Sequence, residues 1–205
     1  VRVRGGSVKY CTLTGPVKSL FAYNSTTDAF FAATASAIFT ITAPGSPTTP
    51  LTATITGLTS GDFSTAQFGT AGGDFLYAVN GTDSPRLYDG STWTAITGAS
   101  SPAITGVTTS GLSQVWSYAN RLFFVQGGTT NAWYLPVDSI GGAANSFSLA
   151  GVFKRGGSLL FGATWSLDSG SGLDDKCVFV STEGEVAVYT GTNPGSAADW
   201  ALQGI

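Results

Sequence analysis

A short strand-like motif recurs along the chain at nearly constant spacing. In each copy a polar residue is followed, directly or after one basic residue, by a run of apolar residues. The copies begin at Asp28, Asp74, Asn120 and Asp175, so that they are separated by 46, 46 and 55 residues. A repeat of this length indicates that one small structural unit is used several times and that neighbouring units complete its core.

Each copy of the motif is followed by a turn and a second apolar segment. The second segments cover residues 37–41, 86–89, 132–135 and 185–189. Three of the intervening turns contain Asn80-Gly81, Gly127-Gly128 and Glu183-Gly184, and glycine supplies the positive φ that tight hairpins need. The sequence therefore predicts a β-hairpin in every unit, with one or two further strands beside it.

These hairpins predict an all-β fold of repeated antiparallel units that resembles a β-propeller, because propeller blades have repeats of about 40 to 50 residues. A β-sandwich is the alternative, since a strand count does not determine closure. We expect one repeat domain over residues 1–205, with approximate units 12–57, 58–105, 106–150 and 151–205. Because the chain begins inside an alternating pattern, we expect it to be a fragment of a longer protein.

Composition argues against several functions. Charged residues make up 10% of the chain, the formal net charge is −3 and the basic residues are scattered, so no basic stripe for tight nucleic-acid binding is expected. The absence of histidine removes the commonest general base and metal ligand, so we expect neither an enzyme nor a cofactor. Cys11 and Cys177 are expected to be buried free thiols, and no apolar run is long enough for a membrane anchor.

The segment 141–172 breaks the regular spacing and is interpreted as an insertion that includes an extra strand over 158–165. Insertions of this kind often contact partners, so we expect a partner-contact loop here. The candidate loop includes the charged residues Lys154, Arg155 and Asp168 of this segment, together with Asp174 and Asp175 directly after it. The three aspartates do not have the spacing of a calcium-binding loop, so a solvated turn is favoured over a metal site.

Two tryptophans are candidates for stacking on sugars, Trp93 and Trp165. The segment from Asp89 to Trp93 resembles the Asp-box turn of sialidase propellers, but its aspartate directly precedes the glycine, which favours an ordinary polar turn. The larger aromatic set lies within alternating strands and is expected to pack in the core. This set comprises Trp116, Trp133, Tyr134, Trp165 and Trp200.

Three segments resemble virion structural proteins of tailed bacteriophages. They are Ala132-Trp-Tyr-Leu-Pro-Val-Asp138-Ser-Ile-Gly-Gly, Gly156-Gly-Ser-Leu-Leu-Phe-Gly-Ala-Thr-Trp-Ser-Leu-Asp168 and Phe179-Val-Ser-Thr-Glu-Gly-Glu-Val-Ala-Val-Tyr189. Among such proteins, the repeat pattern is most similar to the tail nozzle proteins (tail tubular protein B) of short-tailed phages.

The resemblance implies a structural part of the virion tail that is assembled in the host cytoplasm. Its expected form is a homo-oligomeric ring, sixfold in symmetry, that prolongs the DNA channel, lets DNA pass without specific binding and contacts other tail and adaptor proteins. The resemblance implies no catalytic residues. The alternative function is a receptor-binding or carbohydrate-binding propeller.

Overall fold

The computed structural model describes residues 6, 8–168 and 173–205, without the side chains of residues 167, 168, 173 and 174. The predicted all-β class is confirmed. The described part of the chain contains four four-stranded antiparallel sheets, and each sheet has its strands in chain order. The only helical element in these residues is a single 3-10 turn at Thr109–Gly111.

The four sheets are numbered in chain order. The first sheet contains β1 (Ser19–Tyr23), β2 (Ala29–Thr34), β3 (Ala37–Thr40) and β4 (Ile55–Thr56). The second contains β5 (Ser64–Thr70), β6 (Gly73–Val79), β7 (Arg86–Tyr88) and β8 (Trp93–Ala95). A short strand, β9 (Ile104–Thr105), follows it.

The third sheet contains β10 (Leu112–Tyr118), β11 (Arg121–Gln126), β12 (Asn131–Tyr134) and β14 (Asn145–Ser148). The strand β13 (Gly142–Ala143) lies between β12 and β14 in sequence and pairs in parallel with β9. The fourth sheet contains β15 (Leu159–Asp168), β16 (Leu173–Ser181), β17 (Val186–Thr190) and β18 (Ala201–Gly204).

The repeated sequence motif occupies the same structural position every time. It forms the second strand of each sheet, namely β2, β6, β11 and β16, and each of these strands pairs with the strand that follows it. The recurrence of one hairpin at one place in the sheet explains why the spacing is so regular over the first three copies.

The segment 141–172, which the spacing predicts to be an insertion, supplies regular strands of two sheets. Its first part supplies β14, the fourth strand of the third sheet, and its second part supplies β15, the first strand of the fourth sheet. The strand predicted over 158–165 is therefore present, but it is a regular member of a sheet. The described part of this segment thus continues the repeated architecture.

The chain divides into two compact units, residues 1–62 and residues 63–205. The first unit contains the first sheet. Ahead of that sheet, the segment around Tyr10 and Thr12 runs beside residues 45–51, where Thr12 forms a parallel bridge with Pro50 and the Tyr10 carbonyl accepts from the Gly45 N–H at 3.1 Å.

Successive residues of a strand point to opposite faces of its sheet, so each sheet has two faces that can be named from the repeated strand. The front face carries the residues three and five positions after the polar residue of the motif, for example Phe123 and Val125. The back face carries those two and four positions after it, for example Leu122 and Phe124. Both faces of β11 are buried.

Within the second unit, front faces pack on back faces. One hydrophobic cluster joins the front face of the second sheet to the back face of the third, and its buried members are Phe68, Tyr77, Val79, Leu87, Ile96, Ile104, Leu112, Val115, Leu122, Phe124 and Leu135. A second cluster joins the front face of the third sheet to the back face of the fourth. Its buried aromatic members are Trp116, Tyr118, Phe123, Tyr134, Phe153, Phe179, Tyr189 and Trp200.

Hydrogen bonds between first strands set the alignment of these three sheets. The Ser64 hydroxyl on β5 accepts from the Val115 N–H on β10 at 3.3 Å. The Gln114 amide on β10 then donates to the Gly162 carbonyl at 2.8 Å and accepts from the Gly162 N–H at 2.9 Å. Because Gln114 satisfies both backbone groups of Gly162, it extends backbone-like pairing from one sheet to the next.

Candidate interaction surfaces

A polar cleft lies in the second unit where residues of β5, β10, β15 and β16 meet. It has a volume of about 380 Å³, and its polar lining side chains are Gln67, Ser117, Asn120, Thr164 and Asp175. Only Asp175 among the residues lining it carries a charge. A neutral lining of amides and hydroxyls with one carboxylate offers no cation to hold a phosphate.

A second cleft of about 370 Å³ shares Tyr118, Ala119 and Asp175 with the first. The two clefts therefore meet at the turn between β10 and β11. In this turn Ala119 has φ 47° and Asn120 has φ 55°. Two successive positive φ values are the pattern of a type I′ hairpin turn, which asparagine tolerates better than alanine.

Of the three aspartates assigned to the predicted partner-contact loop, the structure describes the side chain of Asp175. Asp175 is exposed on β16 and lines both clefts, and its backbone carbonyl accepts from the Tyr118 hydroxyl at 3.1 Å. The side chains of Asp168 and Asp174 lie outside the described residues. Among the side chains that are described, no group of three or more His, Cys, Asp or Glu residues could hold a metal ion.

The basic pair of the predicted loop is held against the fourth sheet. The Glu185 carboxylate accepts from the Lys154 N–H at 2.8 and 3.0 Å and from the Arg155 N–H at 2.9 Å. These backbone N–H groups, with that of Lys154 contributing most, lower the pKa of the nearly buried Glu185. The backbone of the pair therefore has a structural role, while both side chains remain exposed.

The Asp89 turn is closed by its own hydrogen bonds. Asp89 Oδ1 accepts from the N–H groups of Ser91 at 2.8 Å and Thr92 at 2.7 Å, and its Oδ2 accepts from the Thr92 hydroxyl at 2.9 Å. These bonds, the Thr92 N–H foremost, lower the pKa of Asp89 to about 2. The carboxylate is occupied within its own turn, as the interpretation as an ordinary polar turn requires.

Trp93 and Trp165 lie in different surroundings. Trp93 is half-buried on β8 with its ring 5.0 Å from that of Tyr88, whereas Trp165 is 50% exposed on β15. The third sheet stands between the sheets that carry them. The structure therefore does not bring the two together, which disfavours a shared sugar-stacking platform.

The expectation that the larger aromatic set packs in the core holds for three of its members and is wrong for Trp165. Trp116, Tyr134 and Trp200 are buried, and Trp133 is half-buried at the edge of the other cluster. Trp165 is exposed because it points to the front face of the fourth sheet, on the side away from the third.

The two cysteines are both free, but only one matches the predicted burial. Cys177 is fully buried beneath the aromatic cluster, and burial raises the pKa of its thiol, so the reactive thiolate is suppressed. Cys11 is half-buried.

The front face of the fourth sheet is an exposed apolar surface. Phe161 is 40% exposed, Trp165 is 50% exposed and Val186 is 42% exposed. Val180, which pairs with both Phe161 and Val186, points the same way, as does Val178 two residues before it. Sequence reasoning missed this surface because the same alternation of apolar residues occurs in sheets that are covered on both sides.

A matching apolar surface lies on the back face of the first sheet. Leu20 is 67% exposed and Phe30 is 51% exposed, and Ile41 stands beside them. Together with the segment around Tyr10 and Val17, Leu20 and Ile41 bound a groove of about 510 Å³. The position of Phe30 corresponds to Leu122 and Cys177 in the repeat, both of which are fully buried.

No helix among the described residues is long and apolar enough to cross a membrane. No protein-family model matches the chain, and no curated protein matches it.

Proposed function

We propose that this chain is a structural component of a bacteriophage tail, with a nozzle-like role in a homo-oligomeric ring that prolongs the DNA channel and anchors other tail proteins. The observation that carries the proposal is the repetition of one four-stranded sheet, which builds a stiff, aromatic-rich stack in the second unit. The sequence resemblance described above supports the same role.

The sheets are proposed to be successive blades of a β-propeller. In support, every sheet has the simple strand order of a blade, and β10 contacts both β5 and β15, so that first strands are neighbours across the second unit. An experimental structure would test this arrangement. Strands β5, β10 and β15 packed around a common axis are the expected result, and a flat two-layer sandwich would contradict it.

The chemistry of the polar clefts is suited to a wall beside which DNA passes. Their charged lining residue is an aspartate, and the remainder is neutral. A neutral or slightly negative wall repels phosphate weakly and does not retain it. The turns that contain Asp89, Glu185 and Asp199 use their carboxylates to bind backbone N–H groups, so these acids are committed to structure.

Mass spectrometry of purified virions from a phage that encodes this chain tests the proposal. Cleavage after Arg155 and Lys176 releases the peptide 156–176, which contains the distinctive segment around Trp165. We expect this peptide in virions at a copy number similar to that of other tail ring proteins. Its absence from virions in which other tail proteins are readily detected would remove the proposal.

A further inference from the structure

The sheets of the second unit follow a stacking rule, and two other sheet faces of the chain carry exposed apolar residues. Each contact between sheets joins the front face of one to the back face of the next. The front face of the fourth sheet is exposed at Phe161 and Trp165, and the back face of the first sheet is exposed at Leu20 and Phe30. One surface is a front face and the other is a back face, and these are the two kinds of face that pack together in the second unit.

Both faces are apolar and nearly uncharged. On the described part of the front face the charged side chain is Lys176, whose Nζ is 3.3 Å from the Thr190 hydroxyl. The back face of the first sheet exposes Leu20 and Phe30, while Ala32 and Phe39 on the same face are already fully buried and Lys9 lines the adjoining groove. Bringing the two surfaces together therefore buries the apolar area that Leu20, Phe30, Phe161 and Trp165 expose.

We propose that the front face of the fourth sheet in one copy of this chain binds the back face of the first sheet in a second copy, so that copies associate head to tail. The partner is a second copy because the chain itself carries the complementary face. This inference rests on the homo-oligomeric part of the proposed function and names the surfaces that form it.

Trp165 is the anchor of this contact. It pairs with Lys176 as Tyr118 pairs with Arg121, so Trp165 and Tyr118 occupy equivalent positions in their sheets. Tyr118 crosses to the following sheet, where its hydroxyl donates to the Gly191 carbonyl at 2.7 Å. Trp165 presents an aromatic ring with an N–H donor at that same position.

The receiving surface has the shape that an aromatic anchor needs. The groove beside Leu20, Val17 and Ile41 is concave and mainly apolar, and large aromatic side chains that fill such pockets carry most of the energy of many interfaces. Since the two contacting surfaces differ, the interaction is heterologous and produces a ring or an open chain of copies.

Sedimentation velocity of the whole 205-residue chain over a concentration series tests the proposal. One variant changes the front face, Phe161→Ser with Trp165→Ser, and another changes the back face, Leu20→Ser with Phe30→Ser. The wild type is expected to form larger species as concentration rises, and either variant is expected to weaken this association roughly 30-fold or more. Val137→Ser is the matched control because Val137 is exposed outside both faces.

Mixing the two variants gives the sharper result. Each variant keeps the face that the other has lost, so an equimolar mixture is expected to form a one-to-one complex and nothing larger. Wild-type chain that stays monomeric over the whole series overturns the proposal without any variant. Two folded variants, with unchanged circular dichroism, that fail to combine also overturn it.

The test separates this inference from the proposed function. Virions that contain the chain, together with a purified chain that does not associate through these faces, would remove only the head-to-tail contact. Association through these faces by a chain that is absent from virions would remove only the tail assignment.

Discussion

The third and fourth sheets share one strand order but differ in how many of their faces are covered. The third sheet packs on both sides, and Leu122, Phe123, Phe124 and Val125 of its second strand are fully buried. The fourth sheet covers its back face with aromatic residues and exposes its front face at Phe161 and Trp165. One sequence pattern thus supports both an interior layer and an open surface, and the neighbour decides which of the two it becomes.

The largest expected effect comes from Phe123→Ala. Phe123 is fully buried in the third sheet, where its ring lies 5.2 Å from that of Trp116 and 5.6 Å from that of Tyr134. Its truncation is expected to lower the free energy of unfolding by about 3–5 kcal/mol. Phe161→Ala in the exposed front face is the matched control, and urea denaturation at low protein concentration should show a loss below about 1 kcal/mol. Equal losses would contradict the difference between the two sheets.

The next effect lies at the contact between the two sheets and comes from Gly162→Ala. A Cβ at Gly162 would overlap the ring of Trp116, which presses onto β15. Moving this buried ring is expected to cost about 1–3 kcal/mol. Gly111→Ala serves as a control because a Cβ there meets nothing within 4 Å. Equal thermal midpoints for the two variants would contradict this expectation, because they would show that the Trp116 ring can move away from residue 162 without loss of stability.

A smaller effect, of opposite sign, is expected at the turn of the third sheet. Replacing Ala119 with asparagine keeps the positive φ but removes part of the conformational cost that alanine has there. Ala119→Asn is expected to stabilise the protein by up to about 1 kcal/mol, which corresponds to about 2–4 °C in the thermal midpoint. A lower midpoint would mean that Ala119 is required for packing in the clefts that it lines.

The smallest effect concerns pH and the fourth sheet. Because backbone hydrogen bonds lower the pKa of Glu185 in the folded state, its contribution to stability is present above the unfolded pKa of about 4.3 and is lost as pH falls through the folded pKa. Glu185→Gln should reduce the pH dependence of the thermal midpoint in this acidic window. Unchanged dependence would assign the acid sensitivity to other carboxylates, such as Asp89.

The repeat and the strand class could be predicted from the sequence, because strand periodicity and turn glycines act locally. The four copies of the motif occupy equivalent strands, and the polar interpretation of the Asp89 turn agrees with its hydrogen bonds. The two exposed faces could not be predicted, since Trp165 and Tyr118 occupy the same kind of position and differ only in what lies opposite them. The long-range bonds from Glu185 to residues 154 and 155 were hidden for a similar reason, because they join turns about 30 residues apart.

The front-to-back stacking of the sheets has a consequence for how such a chain can evolve. In the second unit the contacts between sheets use alternate residues of the repeated strands, so a gene duplication that copies a whole sheet also copies both of its joining faces. Additional units can therefore be gained without inventing a new contact. Insertion of a single residue within the repeated strand, in contrast, would exchange the two surfaces and would be selected against.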